Sequence, residues 1–207
     1  MKKYLLLLIA FTTYFTANAQ TEPRRDGFYT MSGIGFVFPV GETSDYLKPK
    51  FSSTLGANIA VGNGGLFIYP KVNLFSYAFD QLVLEPGNNF LVKDGRATTY
   101  ILNLNIGYRG NSGDMSYYGF VGGGGGIVLT QLGEVDPVTS QVTLSNKTNG
   151  TATMEVGGGL EYRLGTFILF TEVSYLHGFK EIQNRSFSSI PVSVGFKTDL
   201  SKLFRKK

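Results

Sequence analysis

The chain has 207 residues and a formal net charge of +4, with 27 Gly, 17 Phe, 12 Tyr and no Cys. Without Cys there is no disulfide framework, and after residue 20 no run of 18 apolar residues predicts a transmembrane helix. Gly, Phe and Tyr disfavour helices, and the aromatic residues suit strands, so the composition predicts an all-β protein. The modest positive charge gives no reason to expect nucleic acid as a partner.

The first residues have the pattern of a secretory signal peptide. Lys2 and Lys3 precede an apolar stretch, and Ala17–Ala19 forms a small-x-small cleavage site. We therefore expect residues 1–19 to be removed and residues 20–207 to form one domain with a short basic C-terminal tail. That tail contains Lys202, Arg205, Lys206 and Lys207.

Eight segments alternate apolar residues with polar residues or glycine, which is the pattern of strands that have two different faces. In residues 98–109, for example, Leu102, Leu104 and Ile106 alternate with Asn103 and other polar residues. Segments of about ten residues are typical of strands that cross an outer membrane. The predicted strands are residues 27–38, 51–61, 66–79, 98–109, 115–130, 152–164, 166–177 and 189–198.

The connections between these strands are alternately long and short. Long segments at 39–50, 80–97, 131–150 and 178–188 alternate with tight Gly- and Asn-rich turns at 62–65, 110–114 and 165–166. Outer-membrane barrels have short periplasmic turns and longer outer loops, whereas a soluble lipocalin-type barrel directs its apolar residues inward. We therefore predict an eight-stranded antiparallel up-and-down transmembrane β-barrel with both termini in the periplasm of a Gram-negative bacterium.

Two of the long connections have apolar runs on either side of a turn. In 80–97 the runs flank Pro86–Asn89, and in 131–150 they flank Asp136–Pro137. Each pattern predicts strands that continue past the membrane as an outer hairpin, with an irregular loop as the alternative. The apolar positions of these hairpins are Leu82, Leu84, Phe90, Val92, Val142 and Leu144.

The predicted inward positions carry both signs of charge. An eight-stranded barrel is only wide enough for side chains to fill, so these charges must pair with each other or remain hydrated. We expect a plug of ion pairs, and the alternative is a narrow ion path through the same groups. The interior polar cluster comprises Lys71, Arg109, Glu155, Glu161, Arg163, Glu172 and Lys197.

Two other features suggest chemistry but have simpler explanations. The run Gly122–Gly126 lacks the Lys-Ser or Lys-Thr of a phosphate loop, so we expect it to bend the barrel wall or make room for a side chain such as Glu161. His177, the one histidine, is expected on the lipid-facing side at the outer end of its strand. The sequence assigns no catalytic residue, no metal ligand and no cofactor.

The leader ending at Ala19-Gln20, the Gly-rich alternating strands and the last strand Ile190–Lys197 together resemble the PorT-like family of small outer-membrane β-barrel proteins. The resemblance covers essentially the whole mature chain and implies a barrel fold, an outer-membrane location and insertion by the barrel-assembly machinery. The resemblance gives no information about activity. It also implies an aromatic residue at the C-terminus, whereas here Asp199–Lys207 follow Phe196.

The first functional hypothesis is a non-enzymatic barrel, surrounded by outer-membrane lipid, whose outer hairpins contact an envelope or surface protein. Unpaired backbone N–H and C=O groups at strand edges can form hydrogen bonds with a strand of a partner protein. The second hypothesis is a narrow pore for ions or small solutes. The third is a lipid-modifying or proteolytic enzyme that uses His177.

Overall fold

The computed structural model describes residues 27–62, 64–85, 88–136, 141–165, 167–182 and 185–200. The predicted signal peptide at 1–19 and the basic tail at 202–207 lie outside these residues. Side chains are not described at 79–94, 131–142, 144 and 182–185. Among the described residues, no helix is long and apolar enough to cross a bilayer.

The strands form one antiparallel sheet that closes on itself, because β3 and β9 both pair with β1 and the remaining long strands pair in chain order. Eight long strands make up the wall, and the two-residue strand β2 adds to the edge of β4. The predicted eight-stranded antiparallel barrel is confirmed. The elements are β1 (Phe28–Pro39), the 3-10 helix η1 (Gly41–Asp45), β2 (Leu47–Lys48), β3 (Lys50–Ala60), β4 (Leu66–Glu85), β5 (Asn88–Ser112), β6 (Met115–Asp136), β7 (Gln141–Leu164), β8 (Phe167–Ile182) and β9 (Arg185–Asp199).

The alternation that predicted the strands separates the two faces of the wall. On β5, Leu102 and Leu104 are each 60% exposed, whereas Asn103 and Asn105 between them are 1% and 0% exposed. Around the whole sheet, aliphatic and aromatic side chains lie on the outside, which is the reverse of the arrangement in a soluble protein. The outer surface is therefore an apolar band that encloses a largely polar set of inward side chains.

The two ends of the barrel differ. At one end the strands are joined by short turns in which Gly62, Gly65, Gly113 and Gly165 have φ between 59° and 78°. A positive φ of this kind is costly for residues with a Cβ, which explains why glycine occupies the tight turns that the sequence predicts.

At the other end, the two hairpins predicted from the sequence extend beyond the closed wall. Pairing of β4 with β5 continues to Glu85↔Asn88, although β5 leaves β6 at Ala97↔Thr130. Pairing of β6 with β7 likewise continues to Asp136↔Gln141, beyond the last pair of β7 with β8 at Thr153↔Gly178. In the described residues, the strands on either side of both predicted hairpin turns are paired. The side chains of Leu82, Leu84, Phe90, Val92, Val142 and Leu144 lie outside the described ones.

Segment 178–188 differs from the prediction, because most of it is strand rather than loop. The pairing of β8 with β9 resumes at Ile182↔Arg185 after a register shift. The sequence does not mark this part of the strands, because residues 178–188 do not alternate apolar with polar side chains.

The run Gly122–Gly126 makes room for side chains of the neighbouring strand. Glu161 is not among them, because its backbone partner on β6 is Ser116, outside this run. A Cβ at Gly124 or Gly126 would collide with the backbone of β5 and with the inward side chains of Asn103 and Ile101, respectively. The glycines therefore let β5 and β6 approach closely while β5 keeps its inward side chains.

Candidate functional site

The centre of the lumen contains a buried ion triad. Lys71 on β4 places its Nζ 2.6 Å from Oε1 of Glu155 on β7 and 2.7 Å from Oε1 of Glu172 on β8. The side chains of all three residues are at most 3% exposed. Because a barrel turns inward positions of distant strands toward one axis, residues that are far apart in sequence meet here.

Neutral groups complete the coordination of both carboxylates. Glu155 accepts hydrogen bonds from Asn103 Nδ2 at 2.8 Å and from Ser174 Oγ at 2.7 Å. Glu172 Oε2 accepts from Tyr118 Oη at 2.7 Å and from Tyr69 Oη at 3.2 Å. Each buried carboxylate thus has several donors, which offsets the cost of removing it from water.

A second triad lies nearer the short turns and contains two cations and one anion, whereas the first contains one cation and two anions. Oε1 of Glu161 accepts from Lys197 Nζ at 2.7 Å and from Arg109 Nη2 at 3.0 Å. Asn58 Oδ1 accepts from the same two cations, at 2.6 Å from Lys197 Nζ and 2.8 Å from Arg109 Nη2. One anion and one amide oxygen therefore hold two cations together.

Tyr118 connects the two triads. Its hydroxyl donates to Glu172, and its ring lies 4.3 Å from Lys197 Nζ, within the range of a cation–π contact. The two triads have formal charges of −1 and +1, so together they are neutral. We name the six ionised side chains the charged layer: Lys71, Arg109, Glu155, Glu161, Glu172 and Lys197.

An apolar cluster fills the lumen on the hairpin side of the charged layer. Its members are fully buried or nearly so, and the hydroxyl of Tyr77 is satisfied by Ser189 Oγ at 2.9 Å. This apolar cover places aliphatic and aromatic side chains between the charged layer and the hairpin end. It consists of Val37, Leu47, Phe75, Tyr77, Ala97, Ile101, Val128, Leu176 and Phe187.

A short segment, residues 40–48, folds over the apolar cover, and we call it the strap. Thr43 Oγ1 donates to Ser186 O at 3.0 Å and accepts from Ser188 N at 2.7 Å. Glu42 Oε2 accepts from both N and Oγ of Ser186 at 3.0 Å. Side chains of the strap therefore satisfy the edge of β9 beyond Pro39↔Ser189, where the pairing of β1 with β9 ends.

Of the seven predicted interior residues, Arg163 stands apart from both triads. It lines a cavity of about 410 Å³ at the turn end, together with Tyr29, Ile168 and Asp199. Its Nε is buried without a hydrogen-bond partner among the described residues. The other six predicted residues are the members of the charged layer.

His177 is half-buried on the outward face near the hairpin end. Its Nδ1 lies 2.9 Å from Ser188 Oγ, which also accepts from Tyr175 Oη at 3.2 Å. Ser188 is 7% exposed, and its backbone N–H is bonded to the strap. The distance between His177 and Ser188 is within the reach that a serine activated by histidine requires, but this serine is buried and is also bonded to Tyr175 and to the strap.

Sequence reasoning missed the apolar cover and the strap. Phe75, Tyr77 and Leu176 occupy inward positions, where the alternation of the sequence predicts polar residues. A signal was present, because the aromatic residues of segment 66–79 lie only at odd-numbered positions, on the same face as Lys71 and Asn73. The strap had no such signal, since Thr43 and Glu42 resemble ordinary loop residues.

Within the part of the chain that the structure describes, no three His, Cys, Asp or Glu side chains are arranged to hold a metal ion.

No protein-family model and no curated protein matches the chain. Among solved structures, its fold is similar to that of Neisserial surface protein A, with 13% identity, a TM-score of 0.56, and coverage of 84% of this chain and 97% of that one. It is also similar to a major outer membrane protein from Thermus thermophilus, with 12% identity, a TM-score of 0.61, and coverage of 84% and 98%. The chain therefore has the fold of small outer-membrane barrels.

Proposed function

We propose that this chain is an integral outer-membrane protein and a non-enzymatic barrel whose lumen is filled by side chains. The observation that carries the proposal is the inversion of the wall, with Leu102 and Leu104 exposed and charged residues such as Lys71 and Glu155 buried. Such an outer band is stable against acyl chains and unfavourable in water. Because the wall is closed, each of its strands is paired on both sides, as the interior of a bilayer requires.

The difference between the two ends of the barrel supports one orientation in the membrane. We propose that the short turns and both termini face the periplasm and that the two hairpins face outward, as in outer-membrane barrels generally. Exposed aromatic residues lie near both ends, with Tyr108, Tyr162 and Phe167 near the turns and Tyr100 and Tyr175 near the hairpins. Aromatic side chains favour the membrane interfaces, so the positions fit a membrane-spanning band.

We further propose that the chain is a member of the PorT-like family and is inserted by the barrel-assembly machinery. The last strand supports it, because Val192, Val194 and Phe196 present an apolar outward row on β9. The outer hairpins are proposed to contact an envelope or surface protein through their unpaired strand edges.

The architecture is tested by cell fractionation and by gel migration. We expect the mature protein in the outer-membrane fraction, extractable only with detergent, and a shift in gel mobility when the folded barrel is heated. Recovery in the soluble fraction without detergent would contradict the proposal.

A narrow pore through the lumen is the second candidate, and the apolar cover argues against it. We expect planar bilayers containing the purified protein to show no discrete conductance steps, because paired charges and packed apolar side chains occupy the lumen. Regular steps that disappear when protein is omitted would favour the pore instead.

An enzyme centred on His177 is tested by replacing His177 with Ala. We expect unchanged envelope lipid composition and unchanged outer-membrane proteolysis, since Ser188 is already engaged by Tyr175 and the strap. A loss of either activity in the variant, with the protein still inserted, would show that the enzyme hypothesis is correct.

A further inference from the structure

A polar cavity opens where the barrel wall divides into its two hairpins. Pairing of β5 with β6 stops at Ala97↔Thr130, and above this pair β5 continues with β4 while β6 continues with β7. The cavity at this division, which we call the notch, has a volume of about 270 Å³. It is lined by Arg96, Thr98, Tyr100, Leu129 and Asn146.

The notch opens on the outward face of the wall, not into the lumen. Arg96 and Tyr100 are exposed and alternate along β5 with the buried residues Ala97, Thr99 and Ile101. Along a strand, side chains two residues apart share a face, so the lining residues of β5 lie on the side that meets the membrane.

The notch also lies at the boundary of the apolar band. Below Tyr100 the outward residues of β5 are Leu102, Leu104 and Ile106, which are 57% to 60% exposed. Above the notch, the described face of the second hairpin is exposed and polar from Ser145 to Thr148. A group bound in the notch would therefore lie at headgroup depth, with its apolar part continuing along the band.

The lining residues suit a phosphorylated sugar. The guanidinium of an arginine presents several donors in a plane that matches phosphate oxygens. The amide of Asn146 and the hydroxyl of Thr98 offer hydrogen bonds of both kinds, as sugar hydroxyls require. The Tyr100 ring and Leu129 supply an apolar surface, and tyrosine at an interface combines such a surface with a polar end.

From this placement, we propose that the notch binds the phosphorylated sugar headgroup of an outer-leaflet glycolipid, with Arg96 at the phosphate and Tyr100 against the sugar ring. The inference rests on the proposed outer-membrane location and on the outward orientation of the hairpins. The outer leaflet of such a membrane supplies anionic glycolipid at this depth, whereas free phosphate and the phospholipids of the inner leaflet lack the sugar.

The test uses the full mature protein, folded in detergent micelles, and native mass spectrometry of retained lipid. The three probes are purified lipopolysaccharide, phosphatidylglycerol and inorganic phosphate. We expect one molecule of lipopolysaccharide per barrel to survive desolvation, with clearly weaker retention of phosphatidylglycerol and no competition from inorganic phosphate at millimolar concentration. Equal retention of both lipids, or displacement by inorganic phosphate, would overturn the proposal.

Two variants separate the notch from general charge attraction. Arg96→Gln should weaken lipopolysaccharide binding about tenfold, the effect of losing a charge-assisted contact. Lys147→Gln removes the same charge from an exposed position one residue beyond Asn146, on the opposite face of β7, and should change binding less than about twofold. Equal losses in the two variants would contradict a specific site.

Tyr100→Leu keeps an apolar residue in the wall and removes the sugar-contacting ring. We expect it to reduce the preference for lipopolysaccharide over phosphatidylglycerol while the gel-mobility shift of the folded barrel is retained. An unchanged preference would refute the role of the ring. If the wild-type protein is a heat-modifiable outer-membrane barrel and binds no glycolipid, this inference fails alone; if it is not in the membrane, the proposed function fails with it.

Discussion

The charged layer and the apolar cover fill the same lumen by different physical means. In the charged layer, each carboxylate is satisfied by named partners, as Glu172 is by Lys71, Tyr118 and Tyr69. In the apolar cover, side chains such as Phe75 and Phe187 fill volume and need no specific partner. A paired network depends on each of its members, whereas a packed cluster loses stability in proportion to the volume removed.

The largest expected effect comes from Lys71→Met. The variant leaves Glu155 and Glu172 buried without their cation, which should cost about 3–5 kcal/mol of unfolding free energy. The measurement is chemical denaturation in lipid vesicles followed by circular dichroism, because the chain has no Trp for fluorescence. Lys147→Met, at an exposed position, is the matched control and should change stability by less than about 0.5 kcal/mol.

The charged layer can be tested further by removing its first triad as a unit. Lys71→Met combined with Glu155→Leu and Glu172→Leu eliminates the unpaired charges and should recover most of the lost stability. A triple variant that is as unstable as Lys71→Met alone would show that the energy lies in the neutral hydrogen bonds around the triad.

A smaller effect is expected in the apolar cover. Leu176→Ala removes part of a fully buried side chain and should cost about 3 kcal/mol, with a residual cavity but no unpaired polar group. Leu102→Ala on the outward face is the control, since acyl chains can fill the space that the leucine leaves. Equal losses at the two positions would mean that the cover is not packed as a core.

The smallest effect concerns the strap above the cover. Thr43→Val removes a hydroxyl that donates to Ser186 O and accepts from Ser188 N, at a cost of about 1–2 kcal/mol. Faster hydrogen exchange at the Ser188 amide would locate the effect. Ser44→Ala, which removes only an exposed hydroxyl bonded to Gly41 O, should have almost no effect on either measurement.

These two regions also differ in how far the sequence predicts them. Six of the seven proposed interior polar residues form the charged layer, because a charge at an inward position of a closed barrel has to find a partner in the lumen. The prediction groups Arg163 with them, although it lies at the rim in a separate cavity. The partners themselves were not predicted, since the alternation gives the face of a residue but not its height along the axis.

By itself, the sequence determined the eight strands, their two faces and the alternation of short turns with long connections. These depend on local rules, because side chains alternate with period two and tight turns require glycine. Only the tertiary structure decided that Lys71 meets Glu155 and Glu172, that aromatic residues cover them, and that Thr43 closes the edge of β9. Strand tilt and register set those contacts, and both arise only when the sheet closes.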